Sequence, residues 1–296
     1  MKNLNYAVLL GLCALFLASL PVQATELDPN TGEGSIELNR KIHCSRVDGE
    51  EVTYVWWGNA YARIPGERDR HLFQLLGMNV RKCGSIEDEA RGKGYRMVSR
   101  EIMLYLDPTS GEILREWENP WTGNTVNVIH VANDPVNGRP NYAKLADGSD
   151  NLFNARMVNG TYFLAFEIPL FYPNVLGGDY QQYVGGTYHS AEIFDFSGNA
   201  DTLMDASTNI EFANVAWVRL AQWLPWMEMG DRVGIMYFNA VGKKLQSWDQ
   251  LPTKMQDEIH SNYPAFTNAP SLDDSRPNET SWTYMKKIID QRNSEQ

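Results

Sequence analysis

A chain of 296 residues with 43% hydrophobic and 21% charged side chains has the makeup of a globular protein, neither disordered nor embedded in a membrane. Its 37 acidic residues outnumber 26 basic ones, for a formal charge of −11. That balance argues against nucleic acid as a partner, because such affinity rests largely on basic groups set against phosphates.

Residues 1–24 differ from the rest. Lys2 provides a basic start, Ala7 to Leu20 is an apolar run, and Val22-Gln-Ala24 offers small residues ahead of a cut. The pattern predicts a secretory signal peptide cleaved near Ala24, and so a periplasmic or secreted protein. The run is shorter than the roughly 20 residues that span hydrocarbon, so no permanent membrane anchor is expected. Two cysteines, Cys44 and Cys83, would then enter an oxidising compartment. They are expected to form a disulfide, the alternative being two unpaired thiols.

Taken in order, residues 25–38 are polar, contain glycine and show no period, and read as a flexible lead-in. Residues 39–296 read as one domain. Glu51 to Trp57 is rich in β-formers, Tyr61 to Glu67 is a short extended piece, and His71 to Val80 leans to strand. From Ser99 to Asp134 the sequence predicts a three-stranded meander. In its first strand Ile102, Leu104 and Leu106 share one face, while Glu101, Met103, Tyr105 and Asp107 share the other. Asp107-Pro-Thr-Ser-Gly111 turns the chain, Glu112 to Glu118 is the second strand, and Val126 to Val131 the third. Thr161 to Ile168 is apolar on both faces, which fits a central strand or a wall around an apolar lumen. Further strands are expected at Thr187–Phe196, Phe212–Leu220 and Arg232–Ala240, with a hairpin tip at Val241-Gly-Lys243. Leu251, Met255 and Ile259 then mark one short helix, and Trp282, Met285, Ile288 and Ile289 a final one.

No Gly-rich phosphate loop, His-Glu-x-x-His, Gly-x-Ser-x-Gly or Cys-x-x-Cys is present, which disfavours nucleotide-dependent and zincin chemistry. Ionisable candidates remain. His130 beside Asn133 and Asp134 offers an imidazole near a carboxylate, unless the pair simply caps the turn before Pro135. Glu101 and Tyr105 on one strand face would place a carboxylate of raised pKa beside a phenol, or else form a rim salt bridge. His189 and Asp195 point to one side of a strand and Glu192 to the other, so the trio cannot converge on a metal without a bulge. Trp223, Trp226 and Met227 either floor an apolar ligand pocket or plug one end of a barrel, and Trp117, Trp121 and Phe163 are further ligand-contacting candidates. Neither cofactor nor metal is expected.

The segments 99–108, 111–114, 119–123, 130–137, 223–230 and 277–284 together resemble the family filed as domain of unknown function 1838, and the likeness runs through most of the chain after the leader. The resemblance implies no reaction and transfers no catalytic residues. The expectation from the residues is a mainly β protein whose antiparallel meander closes into a calycin- or lipocalin-like barrel, with short C-terminal helices. Such a barrel would hold a small hydrophobic lipid, terpenoid or aromatic molecule. The alternatives are a cofactor-free isomerase, cyclase or hydratase using Glu101, Tyr105, His130, Asp134 or His189, and a structural or interaction module of the cell envelope.

Overall fold

The computed structural model describes residues 26–176 and 185–294, so the leader assigned to residues 1–24 lies outside the described chain. The architecture starts from three long antiparallel strands, β1 (Val52–Arg63), β2 (Arg70–Asp88) and β3 (Gly92–Leu106). Their even and odd positions face opposite ways, as the two-residue period requires. Ile102, Leu104 and Leu106 pack beneath α3 (Thr253–Asn262), against its Met255 and Ile259, while Met103 and Tyr105 join a separate core on the other face. Both faces of β3 are thus covered, which accounts for its apolar residues in both phases.

The predicted meander forms in part: its second and third strands pair with each other, but away from the main sheet. The turn at Asp107–Gly111 is present, with the Asp107 carboxylate accepting from Thr109 and Ser110 and Gly111 at φ 71°. Just beyond it the chain still lies antiparallel to the end of β3, with Ile113 bridged to Leu106 and the Leu114 N–H donating to the Tyr105 carbonyl at 3.0 Å, and it leaves the sheet only after that. β4 (Glu116–Glu118) and β5 (Thr125–Asn127) pair only with each other, and β6 (Val131–Asn133) returns to lie beside β3. The diversion is held by tertiary contact: the Asn119 side chain donates to the Met227 carbonyl at 2.8 Å.

The remaining strands are β7 (Asn141–Tyr142), β8 (Arg156–Val158), β9 (Thr161–Pro173), β10 (Thr187–Asn199), β11 (Asn214–Ala221) and β12 (Ile235–Leu245). One ten-stranded sheet runs β6-β3-β2-β1-β12-β11-β10-β9-β8, with β7 also on β3, and every pairing is antiparallel. Among the described residues β6 and β8 do not pair, so the protein is mainly β with an open strand order. The sheet is nonetheless rolled. In a flat sheet β3 and β10 would stand about 24 Å apart, yet Met103 and Glu192 line one cavity.

Two glycines permit the close packing inside the roll. A Cβ on Gly77 would lie 2.1 Å from the Trp56 indole, so only glycine lets that ring lie flat across β2. Gly242, expected at a hairpin tip, sits mid-strand between Trp56 and Val215, where a Cβ would meet the Val55 carbonyl at 2.2 Å. At this position glycine marks a close approach of backbones and not a turn.

Both ends of the roll are filled. At one, α1 (Gly32–His43) begins inside the stretch expected to be a loose lead-in, with Thr31 Oγ1 capping the Gly34 N–H at 3.1 Å. Leu38 and Ile42 are fully buried against Tyr54, Tyr162 and Phe196. Cys44, just past the helix, is bonded to Cys83 of β2, with Cα atoms 5.9 Å apart. Closing that loop stabilises the fold by about 4 kcal/mol on the chain-entropy account. At the other end lies an aromatic cluster described below. The final helix α4 (Ser281–Ser294) fastens the seam, its Trp282 ring 4.6 Å from that of Tyr188 on β10. A short α2 (Ala200–Met204) follows β10 directly.

Candidate functional site

Strand register stacks the inward residues in rows. One row runs Met103, Gly77, Trp56, Gly242, Val215, Phe196, and the next runs Tyr105, Leu75, Gly58, Ala240, Trp217, Phe194. A cavity of about 60 Å³ opens between them, with apolar walls from Trp56, Met103, Val131, Phe194, Phe196 and Trp217. It is far smaller than the roughly 300–1,000 Å³ of a drug-sized pocket.

Four charged side chains share this small space: Glu101, Glu192, Arg81 and Arg219. Glu192 and Arg219 form an ion pair at 3.4 Å. Arg219 also donates to Ser190 Oγ at 3.1 Å and to the Tyr188 hydroxyl at 2.6 Å. Burial opposes its charge, but Tyr188 and Glu192 hold the guanidinium firmly protonated. Burial likewise raises the Glu192 carboxyl, and Arg219 pulls it back. Glu101 is different. Among the described residues its carboxyl has neither a hydrogen-bond nor an ion-pair partner, and burial together with the charge of Glu192 pushes it up to about 7. A carboxyl that ionises near neutrality can both give and take a proton.

The other expected acid–base residues lie elsewhere. His130 is buried, but β6 turns it away from the cavity. Its Nδ1 accepts the Tyr105 backbone N–H at 3.1 Å, and burial lowers it to about 4, so it stays neutral as part of the sheet. Asp134 is tied to Arg100 at 3.0 Å and Arg276 at 2.7 Å, which clamps the segment before α4. His189 is on the outer face with its ring 5.0 Å from Phe171, while Glu192 points inward, which is the split expected of a strand. Tyr105 faces inward next to the cavity, packed 5.3 Å from Phe73 and 5.5 Å from Trp226; burial raises its phenol.

Of the ligand-contacting candidates, Trp117, Trp121, Trp223, Trp226 and Met227 are brought together, but as a packed end of the roll and not as the wall of the cavity. Ring pairs Trp117–Trp226 at 6.0 Å, Trp121–Trp223 at 5.7 Å and Phe73–Trp226 at 5.7 Å leave the cluster solid. Phe163 is 50% exposed on the outer face of β9, remote from them. Sequence reasoning missed Arg81, Arg219, Trp56 and Trp217. The available signal was a charged residue in the inward phase of an apolar strand: Val215, Trp217, Arg219 and Ala221 alternate with outward positions, and Arg219 breaks the run.

Buried cations also occur at the α1 end, where backbone carbonyls hold them. Lys41 Nζ donates to three carbonyls and the Thr208 hydroxyl at 2.7–2.8 Å, and Lys244 Nζ to the Lys41 and Cys44 carbonyls at 2.7 and 3.0 Å. Burial lowers both ammonium groups, Lys41 to about 8. Both are spent on backbone carbonyls, and neither lines the cavity.

No curated protein matches the chain. Among solved structures, it is similar to the crystal structure of Ail, the attachment invasion locus protein of Yersinia pestis, at 6% identity over 67% of this chain and 100% of that one. The TM-score is 0.14, and a likeness that weak carries no argument. The family described as Protein of unknown function (DUF1838) matches residues 49–289, the span that contains every cavity-lining residue, and the chain belongs to that family.

Proposed function

We propose that the cavity binds a small, partly apolar molecule and that Glu101 moves a proton on it, in a cofactor-free isomerisation, cyclisation or hydration. The observation that carries the reading is the unpartnered Glu101 carboxyl, poised at about 7, inside an aromatic-lined cavity that also holds the fixed charge of Arg219. In the isomerisation, the ionised carboxylate takes a proton from carbon next to a carbonyl. The electron pair moves onto the carbonyl oxygen, where positive charge steadies it, and the same carboxyl returns the proton at another carbon. A cavity this far below the usual ligand-pocket volume takes a small ligand, or the reactive end of a larger one, rather than a whole lipid. Export of the protein belongs to the same proposal, supported by the apolar leader and by the buried Cys44–Cys83 bridge.

Native mass spectrometry of the full mature chain, purified from the cells that make it, tests ligand retention. The retained molecule is then followed by NMR in deuterated water with wild type and Glu101→Gln. Deuterium entering a carbon position with wild type, slowed about 100-fold or more in the variant, supports catalysis. Retention without any exchange in wild type would leave a carrier.

A further inference from the structure

The two cavity guanidiniums are paired very differently. Arg219 is fully engaged, with Glu192, Ser190 and Tyr188 each taking a nitrogen. Arg81 has one hydrogen bond, from Nε to Asn79 Oδ1 at 2.6 Å, and its face lies 4.8 Å from the Tyr54 ring centroid. Among the described residues no carboxylate lies within ion-pair distance of it, and its two terminal nitrogens have no hydrogen-bond partner. Tyr54 and Asn79 therefore hold the planar group in place, and its outer edge has no acceptor.

Charge points the same way. Glu192 neutralises Arg219, so the cavity retains one cation, Arg81, and one carboxyl, Glu101, that is not bonded to it. Whenever Glu101 carries its proton, the site has a net charge of +1. A half-buried guanidinium with a free fork matches a carboxylate, whose two oxygens accept two parallel N–H bonds.

Resting on the acid–base reading above, we infer that the ligand is a small monocarboxylic acid whose carboxylate is held by the Nη edge of Arg81, with its apolar part against Trp56, Phe194 and Trp217. The small volume favours a short-chain acid, or the acid terminus of a longer one. Arg81 is then a binding and positioning group, and Glu101 the proton carrier next to it.

Ligand-observed NMR titration of the full mature chain tests this with matched pairs: butanoate against butanamide, and 3-methylbutanoate against its amide. Expected for wild type is acid binding at least ten-fold tighter than the amide. Arg81→Lys keeps a charge but loses the fork and should give up most of that preference, and Arg81→Gln should abolish it. Should Arg81→Gln fail to fold, the wild-type pairs and Arg81→Lys decide. Amides that bind as tightly as acids, or an acid preference undiminished in Arg81→Lys, overturn the inference. In that case deuterium exchange dependent on Glu101 would still stand, so the two readings fail separately. If neither acids nor amides bind and no molecule is retained, both fall.

Discussion

The aromatic end of the rolled sheet and its middle are built by the same strands, yet one is solid and the other hollow. β3 supplies Tyr105 to the first and Glu101 to the second, and β11 supplies Ala221 to the first and Arg219 to the second. At the aromatic end the ribbon β4–β5 and the 223–229 segment lay indoles over the sheet, and Trp117, Trp223 and Trp226 fill the volume. In the middle the inward positions carry charges, and sealing them in dry hydrocarbon would cost several kcal/mol each. The lesson is that aromatic density marks packing in this protein, while the interruption of an apolar strand phase by a charge marks the cavity.

The comparison can be broken most directly at Glu101. Glu101→Gln is expected to slow proton exchange on the retained ligand about 10²–10⁴-fold while leaving denaturant unfolding near that of wild type at pH 5. If His130→Gln slowed exchange equally, the placement of acid–base chemistry in the middle would be wrong, because His130 does not line the cavity. Trp226→Ala should behave in the opposite way, losing about 3–5 kcal/mol of stability with exchange changed only a few-fold in the folded protein. Urea unfolding and the exchange assay, run side by side on both variants, separate packing from chemistry.

A smaller effect sharpens the picture through pH. The folded Glu101 carboxyl ionises at about 7 against 4.5 for the ordinary group, so the folded state binds the proton more tightly than the unfolded chain does. Stability is therefore full below about 4.5 and declines as pH rises through about 7. Wild type should lose about 2 kcal/mol more than Glu101→Gln between pH 5 and pH 8. Parallel stability curves for the two proteins would mean that Glu101 ionises freely and is not confined in the cavity. The smallest change is expected on the outer face, where Phe163→Ser and His189→Ala should each shift stability by no more than about 0.5 kcal/mol and leave exchange untouched. Loss of exchange in either would move function to the exposed side of the sheet.

Local residue patterns were enough to recover the strands β1, β2, β3, β9, β10, β11 and β12 and the helices α3 and α4, because period two, period 3.6 and turn residues are properties of neighbours in the chain. They also singled out Glu101, since a carboxylate sharing a strand face with Met103 and Tyr105 is visible in one dimension. The Cys44–Cys83 bridge was an expectation from two cysteines behind an apolar N-terminal run, with unpaired thiols as the alternative, and the structure decides for the bridge. The helix α1 was not legible, because its Gly32-Glu-Gly start has weak helical preference and its stability comes from Leu38 and Ile42 buried against distant strands. The excursion of β4 and β5 was equally hidden, being held by Asn119 on Met227, more than a hundred residues away. Above all, strand order decides who meets whom. Glu101 and Glu192 share a cavity, and Arg81 keeps an open edge within it, only because pairing in register and rolling of the sheet bring β3, β2 and β10 to one concave face. Those are long-range facts of curvature, and no window of local sequence contains them.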